Sequence, residues 1–198
     1  MKELISLEKV FIDVLHLLTV DFVNFVKAAD HETQVIQDED LNTIINYLPQ
    51  LKSFSEDLLK DFESRMENWS AYPKISNIIV KKGPFLKLFL TYVQNLQKQR
   101  NYLSECCQKY SWFGKVVKDF EASECCQKLE IQHHMLKPLQ RLPQYKLLLE
   151  SYLSQQDSDS IDYEDTQQAL QIVCDMVDHA NKSVKKGVSI CCPWNTFF

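Results

Sequence analysis

Glycine is nearly missing from this chain: three in 198 residues, at Gly83, Gly114 and Gly187. Phosphate-cradling loops of the P-loop or dinucleotide type need glycines clustered within a few residues, so both are excluded, which argues against a nucleotide-hydrolysing or Rossmann enzyme. No apolar run is long enough for a membrane span. Met1 leads into Lys2, Glu3 and an amphipathic pattern rather than the apolar core of a signal peptide. Positive charge is not in excess either, and a net charge of −5 argues against nonspecific nucleic-acid binding. The seven cysteines are odd in number and sit mainly in adjacent pairs, unlike a secreted disulfide framework, so the expected compartment is the cytoplasm.

What is abundant is Leu, Lys, Gln and Glu, the residues of long amphipathic helices. Residues 1–29 carry Leu4, Leu7, Phe11, Leu15, Leu18, Phe22 and Phe25 at spacings of three and four, which predicts one long helix with Glu3 in its acidic first turn. A polar stretch over 30–40 reads as a loop. From Asp40 a second helical pattern runs to Met66 across Pro49, as two abutting helices or one kinked one. Residues 69–73 read as a turn. A short helix over 75–80 is expected to stop at Lys81-Lys82-Gly83, with Pro84 opening a long helix to about Lys109. A short amphipathic piece covers 112–120, and a central helix is expected from about Cys125 to Leu153. After a polar linker over 154–162, a last helix spans 163–186. The expected fold is all-α: one elongated bundle of about six long helices over residues 1–186, with 187–198 (GVSICCPWNTFF) as a separate tail that carries no helical period.

Chemistry-bearing constellations are sparse. The hexapeptide Ser-Glu-Cys-Cys-Gln-Lys occurs twice, at 104–109 and 123–128. Vicinal cysteines on a helix point about 100° apart, which suits inert thiols better than a zinc site. His133 and His134 are adjacent, not four apart, and no His-Glu-x-x-His motif is present. No metal, cofactor or covalent chemistry is expected. The segment 136–153 (LKPLQRLPQYKLLLESYL) stands out instead, with Pro138, Pro143 and the polar run Lys137, Gln140, Arg141 and Gln144 inside a helical stripe. Ile131, Met135, Leu139, Leu142, Tyr145, Leu149 and Leu153 form a core face. Leu129, His133, Leu136, Gln140, Gln144 and Leu147 form a second, mixed stripe, and spacing alone favours a half-exposed boundary over a protein-binding surface.

Residues 136–149 (LKPLQRLPQYKLLL) resemble the most diagnostic segment of the Dbl-homology domain, the exchange module for Rho-family small GTPases, in their proline, Gln-Arg pair, tyrosine and leucine run. Residues 3–11 (ELISLEKVF) are similar to that family's opening, with Leu7 for its threonine and Phe11 for its tyrosine. The likeness covers about residues 1–186 and is greatest to the FYVE, RhoGEF and PH domain-containing (faciogenital-dysplasia) group. It implies a GTPase-binding face built from the first, central and last helices. Glu3 would meet switch I; Gln140, Gln144 and Leu147 would meet switch II; Leu136 would belong to the same GTPase-binding face; Leu129 would select among GTPases; Asp178, Asn181 and Lys182 would contribute from the last helix. Gln144 stands where many members carry Lys or Arg. The implied function is guanine-nucleotide exchange on a Rho-family GTPase of the Cdc type, a regulator rather than an enzyme, in a cytoskeleton-associated setting. Membrane contact would be only indirect, through a pleckstrin-homology domain absent from this chain. A non-catalytic helical module that binds a GTPase or another partner is the alternative.

Overall fold

The long first helix forms but is not uniform. The computed structural model describes residues 2–29 and 36–187, with side chains to 183, so the 188–198 part of the tail and most of the loop after residue 29 lie outside it. Helix α1 (Lys2–His16) passes through a π-helical segment (Leu17–Asp21) into α2 (Phe22–Ala29). A π turn shifts the register of one helix against itself. Here the Thr19 hydroxyl donates to the Leu15 carbonyl at 2.7 Å within it. The shift separates two tasks. Before it, Leu4, Glu8, Phe11 and Leu15 are buried, along a helix that packs on α4 (Leu48–Glu67) and α9 (Lys137–Leu153). After it, Phe22 and Phe25 pack on Phe120 of α7 (Ser111–Glu121), with ring centroids 5.5 and 5.2 Å apart.

Around Pro49 the chain forms two helices, α3 (Asp38–Ile44) and α4, not one kinked helix. The break is made by Tyr47 in the left-handed region at φ 67°, and Pro49 falls in the first turn of α4, where its missing N–H costs nothing. Gln99 donates to the exposed Asn46 carbonyl at 2.7 Å and closes the gap. The expected glycine stop after α5 (Ser76–Lys82) is corrected. Gly83 keeps a right-handed φ of −46° and leads through a 3₁₀ turn (Gly83–Leu86) straight into α6 (Lys87–Lys109). The demand for glycine comes from packing, since a Cβ there would lie 3.1 Å from Ile172 Cγ2.

The central helix is also corrected at its start. Residues 122–130 are turns, with Gln127 and Lys128 at φ 54° and 56°, and only a short α8 (Ile131–His134) precedes α9. Glu121 accepts the Ile131 N–H at 2.9 Å, and Tyr92 donates to the Met135 carbonyl at 2.7 Å, so side chains serve both ends of α8. Pro138 sits in the first turn of α9, whereas Pro143 is inside it. Its absent N–H leaves the Leu139 carbonyl without the usual helical donor.

Helix α9 packs mainly on α10 (Tyr163–Gly187) and also against α1 and α6. Buried Asp162 ties this end together. Its Oδ2 accepts the N–H groups of Ile75 and Ser76 at 2.8 and 3.2 Å and the Tyr152 hydroxyl at 3.2 Å. One carboxylate thus caps α5, holds the end of α9 and fixes the start of α10. No strand occurs among the described residues, and no described helix is long and apolar enough to cross a membrane.

Candidate functional site

The two stripes of the central segment separate in space as the spacing predicts. Ile131, Met135, Leu139, Leu142, Tyr145 and Leu149 are buried, and Leu153 is half-buried at the helix end. On the opposite side of α9, Gln140 is half-buried, Gln144 is exposed and Leu147 is 50% exposed, one turn apart in succession. A large exposed aliphatic side chain one turn beyond two amides is the composition expected of a docking surface rather than of a solvated face.

Both neighbours of that stripe run antiparallel to α9. Glu8 of α1 meets Arg141 and Tyr145, while Glu3 shares a cleft of about 150 Å³ with Leu148, Ser151, Tyr152 and Gln155. Glu3 is exposed and stands beside the C-terminal half of α9. On α10, Cys174 lies within reach of the Lys146 and Glu150 charges: burial pushes its thiol up, Lys146 opposes that shift and Glu150 adds to it. Leu170, Cys174, Val177 and Asn181 share that flank by helical spacing, and Asn181 lies about 10 Å beyond Cys174, toward the Gln140 end of α9. Asn181 is half-buried, and Asp178 is exposed beside it. The α9 stripe is therefore bordered by Glu3 at one end and Asn181 at the other.

Two expected members, Lys182 and Leu129, stand apart, and Leu136 lies one turn before Gln140. Lys182 lines a separate open groove of about 510 Å³ between α6 and α10, with Lys87, Leu90, Gln94, Met176 and His179. Leu136 sits at the junction before α9, half-buried and packed on the core. Leu129 does not extend the helical stripe. It lies in the turn before α8, where its N–H donates to the Cys126 carbonyl at 3.0 Å and its carbonyl accepts the Cys126 thiol at 3.1 Å.

One element of the site is not foreseen in the sequence. Arg141, grouped there with the polar run, is 1% exposed and pairs with Glu8, which is fully buried. The guanidinium lies over the Phe11 and Tyr145 rings at 5.4 and 4.4 Å, and Tyr145 donates to the same Glu8 Oε2 at 2.6 Å. Burial, then the Glu8 charge, pushes the Tyr145 hydroxyl well above its ordinary range. Arg141 also reaches outward, donating through Nη1 to Gln144 Oε1 at 3.1 Å. The signal was present: Glu8 interrupts the buried stripe of Leu4, Phe11 and Leu15, and a carboxylate in that stripe requires a cationic partner.

The cysteines among the described residues offer no competing site. Cys107 and Cys126 are held to about 11 by burial and remain thiols at neutral pH, and no cluster of three or more metal-ligating side chains occurs among the described residues.

Comparison with known proteins gives one consistent result. The family model described as the RhoGEF domain matches residues 1–181. FYVE, RhoGEF and PH domain-containing protein 6 of Mus musculus is 46% identical over 188 residues, covering 94% of this chain and 13% of that protein. Protein 1 of the same series from Homo sapiens is 31% identical over 185 residues, covering 93% of this chain and 19% of that protein. The chain thus spans less than a fifth of these two relatives. Among solved structures, the DH domain of FARP2 superposes with a TM-score of 0.83 at 22% identity, covering 93% of this chain and 87% of that one. The DH/PH domains of PDZ-RhoGEF, solved in complex with GTP-gamma-S activated RhoA, superpose at 0.78 with 19% identity, covering 93% and 52%. At those identities the superpositions show the fold alone.

Proposed function

This chain belongs to the RhoGEF domain family, and from that premise we propose that it is a guanine-nucleotide exchange factor for a Rho-family small GTPase. The observation that carries the proposal is the single face on which Gln140, Gln144 and Leu147 of α9 lie between Glu3 of α1 and Asn181 of α10. Such a face works by binding, with no covalent step. A nucleotide held at nanomolar to picomolar Kd is bound by about 12 to 16 kcal/mol. A partner that prefers the nucleotide-free GTPase weakens nucleotide binding by the same factor by which nucleotide weakens its own. Glu3 supplies an acidic contact at one end of the face, the amides supply paired donors and acceptors, and Leu147 supplies apolar anchoring.

The proposed preference is a GTPase of the Cdc type, in line with the likeness to the FYVE, RhoGEF and PH domain-containing proteins. The proposed setting is cytoplasmic and cytoskeleton-associated, with membrane contact only through a domain outside these residues. The test is GDP release from a panel of Rho-family GTPases. Gln140→Ala combined with Asn181→Ala is expected to abolish most of the stimulated release, and unchanged release on every member would show that the face is elsewhere. The neutral Gln144 favours a second reading, a module that binds a GTPase without exchange. Binding to the nucleotide-free GTPase without faster GDP release would establish it.

A further inference from the structure

The Gln144 side chain has its amide orientation chosen by a neighbour. Its Oε1 accepts from Arg141 Nη1 at 3.1 Å, and arginine has donors only, so the amide oxygen is the one group that can face it. Arg141 is itself immobilised by Glu8 on α1 and by the rings of Phe11 and Tyr145. With the oxygen taken by Arg141, the Nε2 amino group of the exposed Gln144 has no acceptor among the described residues and is left for a partner. Resting on the exchange-factor reading, we propose that Arg141 is a positioning residue that turns Gln144 into a fixed, uncharged hydrogen-bond donor, and that the GTPase meets it with an acceptor, a carboxylate or a backbone carbonyl.

The arrangement joins two helices of the face. Glu8 is on α1, Arg141 and Gln144 on α9, so the donor's direction is set by the seating of α1 against α9. A lysine at this position would supply a donor by charge and reach. Here the same polarity comes from a neutral amide whose choice between donating and accepting is removed by the buried guanidinium. Preorganisation of this kind strengthens binding by reducing the side-chain freedom lost on association.

The test uses the whole chain, with GDP release and binding to the nucleotide-free GTPase read in parallel on a Rho-family panel. Gln144→Glu can still accept from Arg141 but offers no outward donor, and release is expected to fall by about tenfold or more with an unchanged melting temperature. Gln144→Lys is expected to recover most of the lost release. If the recovered release is faster than the parent's and sensitive to salt, the acceptor is a carboxylate; if it matches the parent's and resists salt, the acceptor is a carbonyl. Arg141→Lys keeps a cation for Glu8 and loses the fork that holds Gln144. Its effect on release is expected in the parent and absent in the Gln144→Lys background, whereas an equal loss in both would make Arg141 merely structural and overturn the positioning role. Full release from Gln144→Glu would overturn the donor. A parent chain that neither binds nor exchanges on any panel member would instead overturn the exchange-factor reading.

Discussion

Replacing Arg141 by methionine removes the partner of a carboxylate that has no access to water. Glu8 is fully buried, and its Oε2 would keep only the Tyr145 hydroxyl, while Oε1 has no hydrogen-bond partner even in the intact protein. Stranding a buried charge in this way costs about 3 to 5 kcal/mol. For a domain of this size, that corresponds to a fall in melting temperature of about 6 to 20 °C. Removing both charges is a different perturbation. In Glu8→Leu with Arg141→Met, no ion is left behind, and the side chains fill a similar volume against Phe11 and Tyr145. Arg141 Nε is also unpartnered, so the native pair is incompletely satisfied and the double variant should lie within about 1 kcal/mol of the parent. Urea unfolding followed by far-UV circular dichroism, with a common slope for all variants, measures both quantities. A cost below about 1 kcal/mol for Arg141→Met alone, or a double variant no more stable than the single, would refute the claim that the buried charge governs this site.

Three further outcomes are expected. Asp162→Ala should cost about 2 to 4 kcal/mol in the same unfolding assay, because it leaves the Ile75 and Ser76 N–H groups and the Tyr152 hydroxyl without their shared acceptor. Gly83→Ala should cost about 1 to 3 kcal/mol by pressing on Ile172, and Ile172→Ala should show strong positive coupling to it in a double-mutant cycle. Stability should fall as pH rises above about 10, where unfolded tyrosines ionise. Tyr92 and Tyr145, whose hydroxyls burial pushes up, hold their protons in the fold, so their contribution is complete below that pH and is lost as pH climbs. The urea midpoint at pH 9 and 11 checks this, and Tyr145→Phe should flatten the decline.

Helix positions were legible wherever an apolar stripe ran unbroken, as in α6 and α10, because burial of one face is what fixes such a helix. Breaks were less legible, because they are decided by contacts distant in sequence. Pro49 announces an interruption, but the left-handed Tyr47 and the Gln99 bond to Asn46 determine that it is a turn between two helices. Gly83 resembles a helix stop locally, yet its right-handed φ continues the helical path, and the side chain that crowds it is Ile172, 89 positions further along the chain. The start of the central helix was misplaced for a similar reason: residues 125–130 keep a plausible period, but Glu121 and His134 hold their ends in a turn, through Ile131 and the Cys126 carbonyl. Of the candidate site, the stripe of Gln140, Gln144 and Leu147 was visible from spacing. Lys182 was grouped with its sequence neighbour Asn181, although a step of about 100° carries it to the α6 groove.

The buried ion pair also gives the exposed stripe its shape. Without the Glu8–Arg141 pair, the buried contact of α1 with α9 would be largely apolar, and apolar contacts tolerate sliding and repacking at small cost. A charge pair with a shared tyrosine hydroxyl does not, since displacement by even part of a helical turn would leave Glu8 unpaired. The register of Glu3 relative to Ser151 and Gln155 is therefore tied to the same lock that orients Gln144. Glu8 and Glu3 are five residues apart on one helix, so the position of the acidic end of the face follows from where Glu8 must sit. A face that must bind one conformation of its partner better than another requires this rigidity, because a surface able to follow both conformations would lower the energy of each and shift neither.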